Sequence, residues 1–308
     1  MTDIRYITAG EIARIPMGDF VAALADAFRS APDLPPRSHH PTPEGQFLLM
    51  PAWDDAATGV KLVTIRPENR TRDLPTIQGL YVLFDGPTGT PCALLDGGAL
   101  THRRTAAASA LAARYLARPD SSHHLVIGAG ALAGSMVEAM AAVLPVTRVT
   151  IWNRTPARAE ALARRLRDHG IPVEWTEDLP AAVAAADVVT TATQSPVPLV
   201  RRPDVRPGTH LDLVGAYRPD MAEAEPALLS GARIVVDTVD GAQSEAGDLL
   251  QAIEAGVLTW EDISGDLSEL VRGAIRPRRG SDEITVFKSV GASIEDLAAA
   301  RLVWERRQ

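Results

Sequence analysis

Residues 124–133, His124-Leu125-Val126-Ile127-Gly128-Ala129-Gly130-Ala131-Leu132-Ala133, set a short apolar run against a glycine-rich turn, and an apolar helical pattern follows at once. Strand, turn and helix in that order are what the Gly-x-Gly-x-x-Gly/Ala dinucleotide fingerprint requires. The first glycine permits a tight turn, the second lets a pyrophosphate approach the backbone, and a small third residue lets helix and strand pack closely. Gly128, Gly130, Ala131 and Leu132 are therefore candidate cofactor contacts. The string alone is a weak signal; its setting carries the reading.

Outward from the turn, strands and helices alternate. After the strand at 124–127, the pattern predicts a helix over 131–144, a strand over 148–152 and a helix over 156–169. Further on it predicts a helix over 179–186, strands over 188–192 and 210–214, a helix over 221–230 and a strand over 233–237. Such alternation specifies a Rossmann-type, doubly wound parallel sheet, and an α/β class. The strand after the fingerprint helix ends at Asn153-Arg154-Thr155, where an NAD enzyme usually places an acid on the ribose 2′-hydroxyl. An arginine there suits a 2′-phosphate instead, so NADPH is expected, with NADH possible.

The N-terminal part reads differently. A short strand and an amphipathic helix carrying Phe20, Leu24, Ala27 and Phe28 precede a proline-rich polar stretch over 34–51. Strands are expected over 59–65, 80–85 and 92–96, the last two joined by the turn-rich 85–91 as a hairpin. These elements make an α+β domain with an antiparallel sheet. An alanine-rich helix over 101–116 leads out of it, and the change of rhythm at Arg118–Ser122 marks a boundary. The expected division is 1–118, completed by 288–308, against 119–287. A closing helix over 293–306, with Leu297, Ala300, Leu302 and Val303, is expected to return to the first domain.

Length and charge bound the function. The 308 residues exceed one compact core and suit two domains. A net charge of −8 excludes a general nucleic-acid or anionic-membrane binder, because an acidic surface offers neither of them cations. Pairs such as Arg103-Arg104 read by default as solvated surface. Cys92 stands alone, which excludes an internal disulfide, makes a structural zinc site a poor reading and leaves a small buried residue; no metal site is expected. The absence of a long apolar run or an apolar N-terminal signal core makes a cytoplasmic location the expectation.

Several stretches together resemble the ornithine cyclodeaminase and mu-crystallin family along nearly the whole chain. They are Gly59-Val60-Lys61, Leu74-Pro75-Thr76-Ile77-Gln78-Gly79, Leu94-Leu95-Asp96-Gly97, Arg104-Thr105-Ala106-Ala107-Ala108-Ser109-Ala110, the glycine turn and 282–291. The resemblance implies a substrate-binding and dimerising first domain, a Rossmann second domain, and a homodimer built through the first domain's sheet. Within the family, 48–53, 103–105 and 210–217 look most like the bacterial ketimine reductases, which reduce Δ1-pyrroline-2-carboxylate to L-proline and often the six-membered Δ1-piperideine-2-carboxylate to L-pipecolate. Cyclodeaminases of the family carry an aspartate just after Val-Gly-Ala. Here Val214-Gly215-Ala216 is followed by Tyr217, which removes a carboxylate able to act as general base.

A cyclic imino acid needs a cationic clamp for its carboxylate and a proton for its ring nitrogen. The resemblance implies Lys61 and Arg104 as catalytic residues, and Arg37, His40, Thr76 and Tyr217 as substrate contacts. It implies Thr105, Thr193 and Val290 as cofactor contacts, joining the turn and Asn153, Arg154 and Thr155. Lys61 is the first candidate proton donor, with His39, His40 or a water next and Tyr217 able to donate or merely to pack. Three other readings stay open: an ammonia-eliminating ornithine cyclodeaminase, a non-catalytic NADPH-binding and small-acid-binding protein of mu-crystallin type, and an amino-acid dehydrogenase.

Overall fold

The computed structural model describes residues 4–30, 34–167 and 172–306. The chain divides into two units, residues 1–107 with 291–308, and residues 108–290. The division falls inside the helix Gly97–Leu116 and not at Arg118–Ser122. Nothing in that alanine-rich helix interrupts it, and its last turns pack Ala113, with Ala117 just beyond, among Met140, Leu144 and Val188 of the second unit.

The first unit is a six-stranded sheet: β1 (Arg5–Ile7), β2 (Ser38–Thr42), β3 (Gly45–Trp53), β4 (Ala57–Ile65), β5 (Ile77–Asp85) and β6 (Pro91–Asp96). Its order is β1-β6-β5-β4-β3-β2, antiparallel except where β1 joins β6. Alternation decides which face is buried. Leu48, Met50 and Ala52 of β3, Tyr81 and Leu83 of β5, and Ala93 and Leu95 of β6 are all buried. On β4 the buried row is Ala57, Gly59, Lys61 and Val63, so a lysine occupies a core-facing position. The closing helix Ser293–Glu305 packs across β3, β4 and β5 and against the helix Met17–Ser30.

Two strands arise in the stretch over 34–51, where prolines obscured them. Pro41 lies on the edge strand β2, and Pro51 lies past the end of β2, where β3 has one strand neighbour. Neither position demands the N–H that proline lacks. Arg103 is not solvated surface: it is buried, donates to the Ile15 carbonyl and lies 5.2 Å over the Phe20 ring. Cys92 is half-buried rather than core.

The second unit contains β7 (His123–Ile127), β8 (Arg148–Trp152), β9 (Val173–Thr176), β10 (Val188–Thr191), β11 (His210–Leu213), β12 (Arg233–Val236), β13 (Ile263–Asp266) and β14 (Thr285–Lys288). Their order is β13-β12-β14-β11-β10-β7-β8-β9, and every neighbouring pair is parallel. Chain order reverses between β7 and β10, the switch point outside whose carboxyl ends an open α/β sheet binds its ligand. The helix expected over 221–230 shrinks to Pro226–Leu229. Residues 214–225 are instead drawn across the ends of β10 and β11 by the buried Glu223, described below. Among the described residues no helix is long and apolar enough to cross a membrane.

Candidate functional site

In the first unit the core-facing lysine and Arg104 meet two acids from the closing helix. Lys61 Nζ lies 2.9 Å from Asp296 Oδ1 and 2.8 Å from Oδ2. Arg104, on the helix Gly97–Leu116, donates from Nε to Asp296 Oδ1 at 3.0 Å and from Nη1 to Glu295 Oε2 at 2.6 Å. All four side chains are buried, Asp296 completely. Glu295 and Asp296 stand in the first turn of their helix, where the helix dipole favours negative charge. Arg37 donates to the Gly291 carbonyl. Gly291 has φ +89°, and a Cβ there would stand 2.5 Å from Arg104 Nη1, so only glycine passes over the guanidinium.

Burial lowers the Lys61 pKa to about 8; the Arg104 charge adds to the effect, Asp296 opposes it, and Arg37 lowers it slightly. Lys61, Arg104 and Arg37 bring three positive charges, Glu295 and Asp296 two negative ones. The cluster thus sets a lysine ammonium and an arginine guanidinium side by side on one buried carboxylate, Asp296. His40 is not part of it: it is exposed on edge strand β2, two strands from β4, with Nε2 3.1 Å from Ser38 Oγ. His39, equally exposed, lies 3.4 Å from Gln46. Thr76 precedes β5, five residues before Tyr81, which pairs with Lys61; at strand spacing that is about 17 Å along the sheet.

In the second unit the glycine turn closes as its sequence demands. Gly128 has φ +117°, donates to the Trp152 carbonyl at 2.8 Å, and a Cβ there would stand 2.6 Å from the Ala192 carbonyl oxygen. Gly130 differs: a Cβ would meet nothing within 4 Å. Its space is open for a ligand, and the helix Ala133–Val143 begins just beyond, two residues after the expected Ala131. Asn153 Oδ1 accepts from Ala129 N at 3.1 Å and Nδ2 donates to the Thr155 carbonyl, tying the turn to the end of β8. Arg154 and Thr155 are exposed beside it, and Ala131 and half-buried Leu132 follow the turn. An open glycine before a helix N-terminus fits a pyrophosphate, and an exposed arginine at the β8 tip fits the adenosine ribose.

Of the remaining residues, Thr105 is buried in its helix. Thr193 donates from N and Oγ1 to Glu223 Oε1, at 2.7 and 2.6 Å. Tyr217 is half-buried and its hydroxyl accepts from Gln194 Nε2 at 3.1 Å. Val290 N donates to Asp237 Oδ2 at 2.8 Å. Sequence reading missed Glu295, Asp296, Glu223 and Asp237. A signal existed for the first two: they sit between Ile294 and the run Leu297-Ala298-Ala299-Ala300, which leaves the helix start almost no polar face to solvate them. Among the described residues no group of three or more His, Cys, Asp or Glu side chains could hold a metal ion.

A doubly wound parallel sheet opened by this turn, together with a first unit built on a mostly antiparallel sheet, defines a two-unit Rossmann-type dinucleotide-binding protein. The chain belongs to the ornithine cyclodeaminase/mu-crystallin family, whose model matches residues 9–308. It is 41% identical over 263 residues to Delta(1)-pyrroline-2-carboxylate reductase of Paracoccus denitrificans, covering 85% of this chain and 83% of that one. The structure of the Thermococcus litoralis Delta(1)-pyrroline-2-carboxylate reductase in complex with NADH and L-proline superposes with a TM-score of 0.93 at 31% identity, covering 98% and 97%. An archaeal alanine dehydrogenase dimer with bound NAD gives 0.92 at 32% identity, covering 98% and 95%.

Proposed function

We propose that the protein reduces cyclic 2-carboxy imines, Δ1-pyrroline-2-carboxylate and its six-membered homologue, to the L-amino acids with a reduced nicotinamide dinucleotide. The observation that carries this reading is the buried cluster in which Asp296 holds Lys61 Nζ and the Arg104 guanidinium side by side, a proton donor next to a carboxylate-binding fork. The similarity to two reductases that bear this substrate's name supports it. In this reading Arg104, with Arg37 beside it, holds the carboxylate; a guanidinium fork matches a carboxylate in two bonds at once. Lys61 carries three N–H groups, of which the Asp296 carboxylate engages no more than two. The third proton passes from Nζ to the ring nitrogen as negative charge arrives there, and solvent returns a proton to Nζ. The dinucleotide, when bound, supplies the hydride to the carbon that bears the carboxylate. His40 and Thr76 stand away from the Lys61 cluster and take no part in this reading, in which Thr105 and Val290 are cofactor contacts.

Tyr217 favours reduction over loss of ammonia, because it offers no carboxylate where the cyclodeaminases place theirs. The exposed Arg154 at the tip of β8 favours NADPH over NADH. Association into a homodimer is supported by the sheet face turned away from the closing helix. Val60, Leu62, Val82 and Leu94 lie there half-buried, with Leu80 exposed beside them.

The test is NADPH oxidation with Δ1-pyrroline-2-carboxylate and Δ1-piperideine-2-carboxylate, run beside conversion of ornithine to proline. Imine reduction is expected, with ornithine turned over far more slowly. Tyr217→Asp should raise the ornithine activity. Equal rates for the two reactions in the unmodified protein would overturn the assignment.

A further inference from the structure

Glu223 is a completely buried carboxylate that takes no part in the chemistry above. Its Oε1 accepts from Thr193 N and Oγ1, and its Oε2 accepts from Thr191 Oγ1 at 2.8 Å and Gly215 N at 2.6 Å. Two of these donors are backbone N–H groups, one on each oxygen, and an N–H can only donate. Both oxygens must therefore be acceptors, which a carboxylate satisfies and an amide does not.

The partners belong to the ends of two neighbouring strands, β10 and β11. The backbones there touch: a Cβ on Gly215 would stand 1.9 Å from the Thr193 carbonyl oxygen. Farther out, Gln194 and the Tyr217 hydroxyl bridge the same two loops. Glu223 is itself anchored. Asp248 Oδ1 accepts from Glu223 N at 2.6 Å and from Ala224 N at 3.0 Å, and Lys288 Nζ of β14 lies 3.0 Å from Asp248 Oδ2. With a pyrophosphate at the end of β7 and the adenosine ribose at the end of β8, the other half of a dinucleotide falls on the β10 and β11 side of the switch point.

We propose that Glu223 is a positioning residue for the nicotinamide half of the cofactor: it stitches the loops 192–194 and 214–217 into one arrangement, so that Thr193 and Tyr217 are presented together. The assignment to nicotinamide rests on the proposed reductase reading; the seam between the loops does not.

The experiment compares the full chain with Glu223→Gln and Thr191→Val. The amide variant opposes an NH2 group to a backbone N–H whichever way it is turned, and the valine variant removes one donor without touching a site residue. Amide hydrogen exchange of cofactor-free protein is expected to quicken about tenfold over 192–195 and 214–218, as loss of roughly one hydrogen bond allows, and not in β7. NADPH affinity, read by its fluorescence and held chiefly by the phosphate turn, should stay within about threefold, while kcat with Δ1-pyrroline-2-carboxylate falls about ten- to a hundredfold through misplacement. Thr191→Val should shift all three in the same sense by less. Unchanged exchange in both segments overturns the proposal, and Thr191→Val decides it if Glu223→Gln does not fold. Faster exchange with kcat unchanged, or with affinity and kcat falling together, leaves Glu223 merely structural and overturns it too. If the unmodified protein binds NADPH but does not reduce the imine, the reductase reading fails while the exchange data still decide the seam.

Discussion

Lys61 is the residue whose ionisation the fold sets most directly. Burial and Arg104 press its pKa down to about 8, and Asp296 holds it up. An ammonium that must donate a proton is lost as pH rises through that value, so kcat/KM for imine reduction should fall above about pH 8. Removing the opposing charge by Asp296→Asn lowers the pKa further, so the alkaline limb should move to lower pH. A limb left in place by that variant would show that Lys61 is not the donor. In the proposed reading Arg154 acts at the same scale but on the cofactor. A charge-assisted contact to a 2′-phosphate contributes about 1.5–3 kcal/mol, so Arg154→Ala should erase a tenfold or greater NADPH preference. Equal kcat/KM for NADPH and NADH in the unmodified protein would sink that expectation.

At the scale of the element, the turn after β7 separates two uses of glycine. Gly128 is needed by the fold, since its φ of +117° and the nearby Ala192 carbonyl exclude a side chain. Gly128→Ala should destabilise the protein by about 1–3 kcal/mol in urea unfolding. Gly130 has open space around it, so Gly130→Ala should leave stability within about 0.5 kcal/mol, as a substitution away from packing does, yet weaken dinucleotide binding. Matching stability losses in both would mean that Gly130 serves the fold rather than a ligand. Strand β4 shows how far an element was readable. Its period of two was visible, and so was Lys61. That Lys61 shares the buried row with Gly59 and Val63 follows from the same period, but its tolerance there depends on Asp296, 235 residues away in sequence.

Across the whole molecule, buried polar groups make stability depend on pH. His124 and His210 lie inside the parallel sheet, and burial holds both pKa values down to about 3. Their contribution is present above the unfolded value of 6.5 and is lost as pH falls toward 3. Asp212, which accepts from Thr190 Oγ1 at 2.9 Å, is raised by burial to about 7. Its contribution is complete below the unfolded value of 3.8 and is lost as pH rises through 7. Asp212→Asn removes only that second dependence. The stability of the variant relative to the unmodified protein should therefore improve by about 1.4 kcal/mol per pH unit between pH 4 and 7. Parallel curves would count against an ionising Asp212. The partly buried apolar sheet face bears on assembly, and light scattering should report about twice the 32.8 kDa chain mass. A persistent monomer at micromolar concentration would refute the dimer.

The sequence by itself determined the parallel sheet, the glycine turn and the cationic residues Lys61 and Arg104, because apolar periodicity, turn chemistry and charge are local properties. It left the strands β2, β3, β9, β13 and β14 unread, and it overextended the helix at 221–230. Those segments owe their form to partners distant in the chain: β2 to its pairing with β3, and the 214–225 loop to a carboxylate that binds the ends of β10 and β11. Only the tertiary structure decided which acids complete the cluster and which of the candidates stand apart from it. A buried charge is tolerated where opposite charge and hydrogen-bond donors converge on it, and that convergence is a property of packed elements, not of any one stretch of chain.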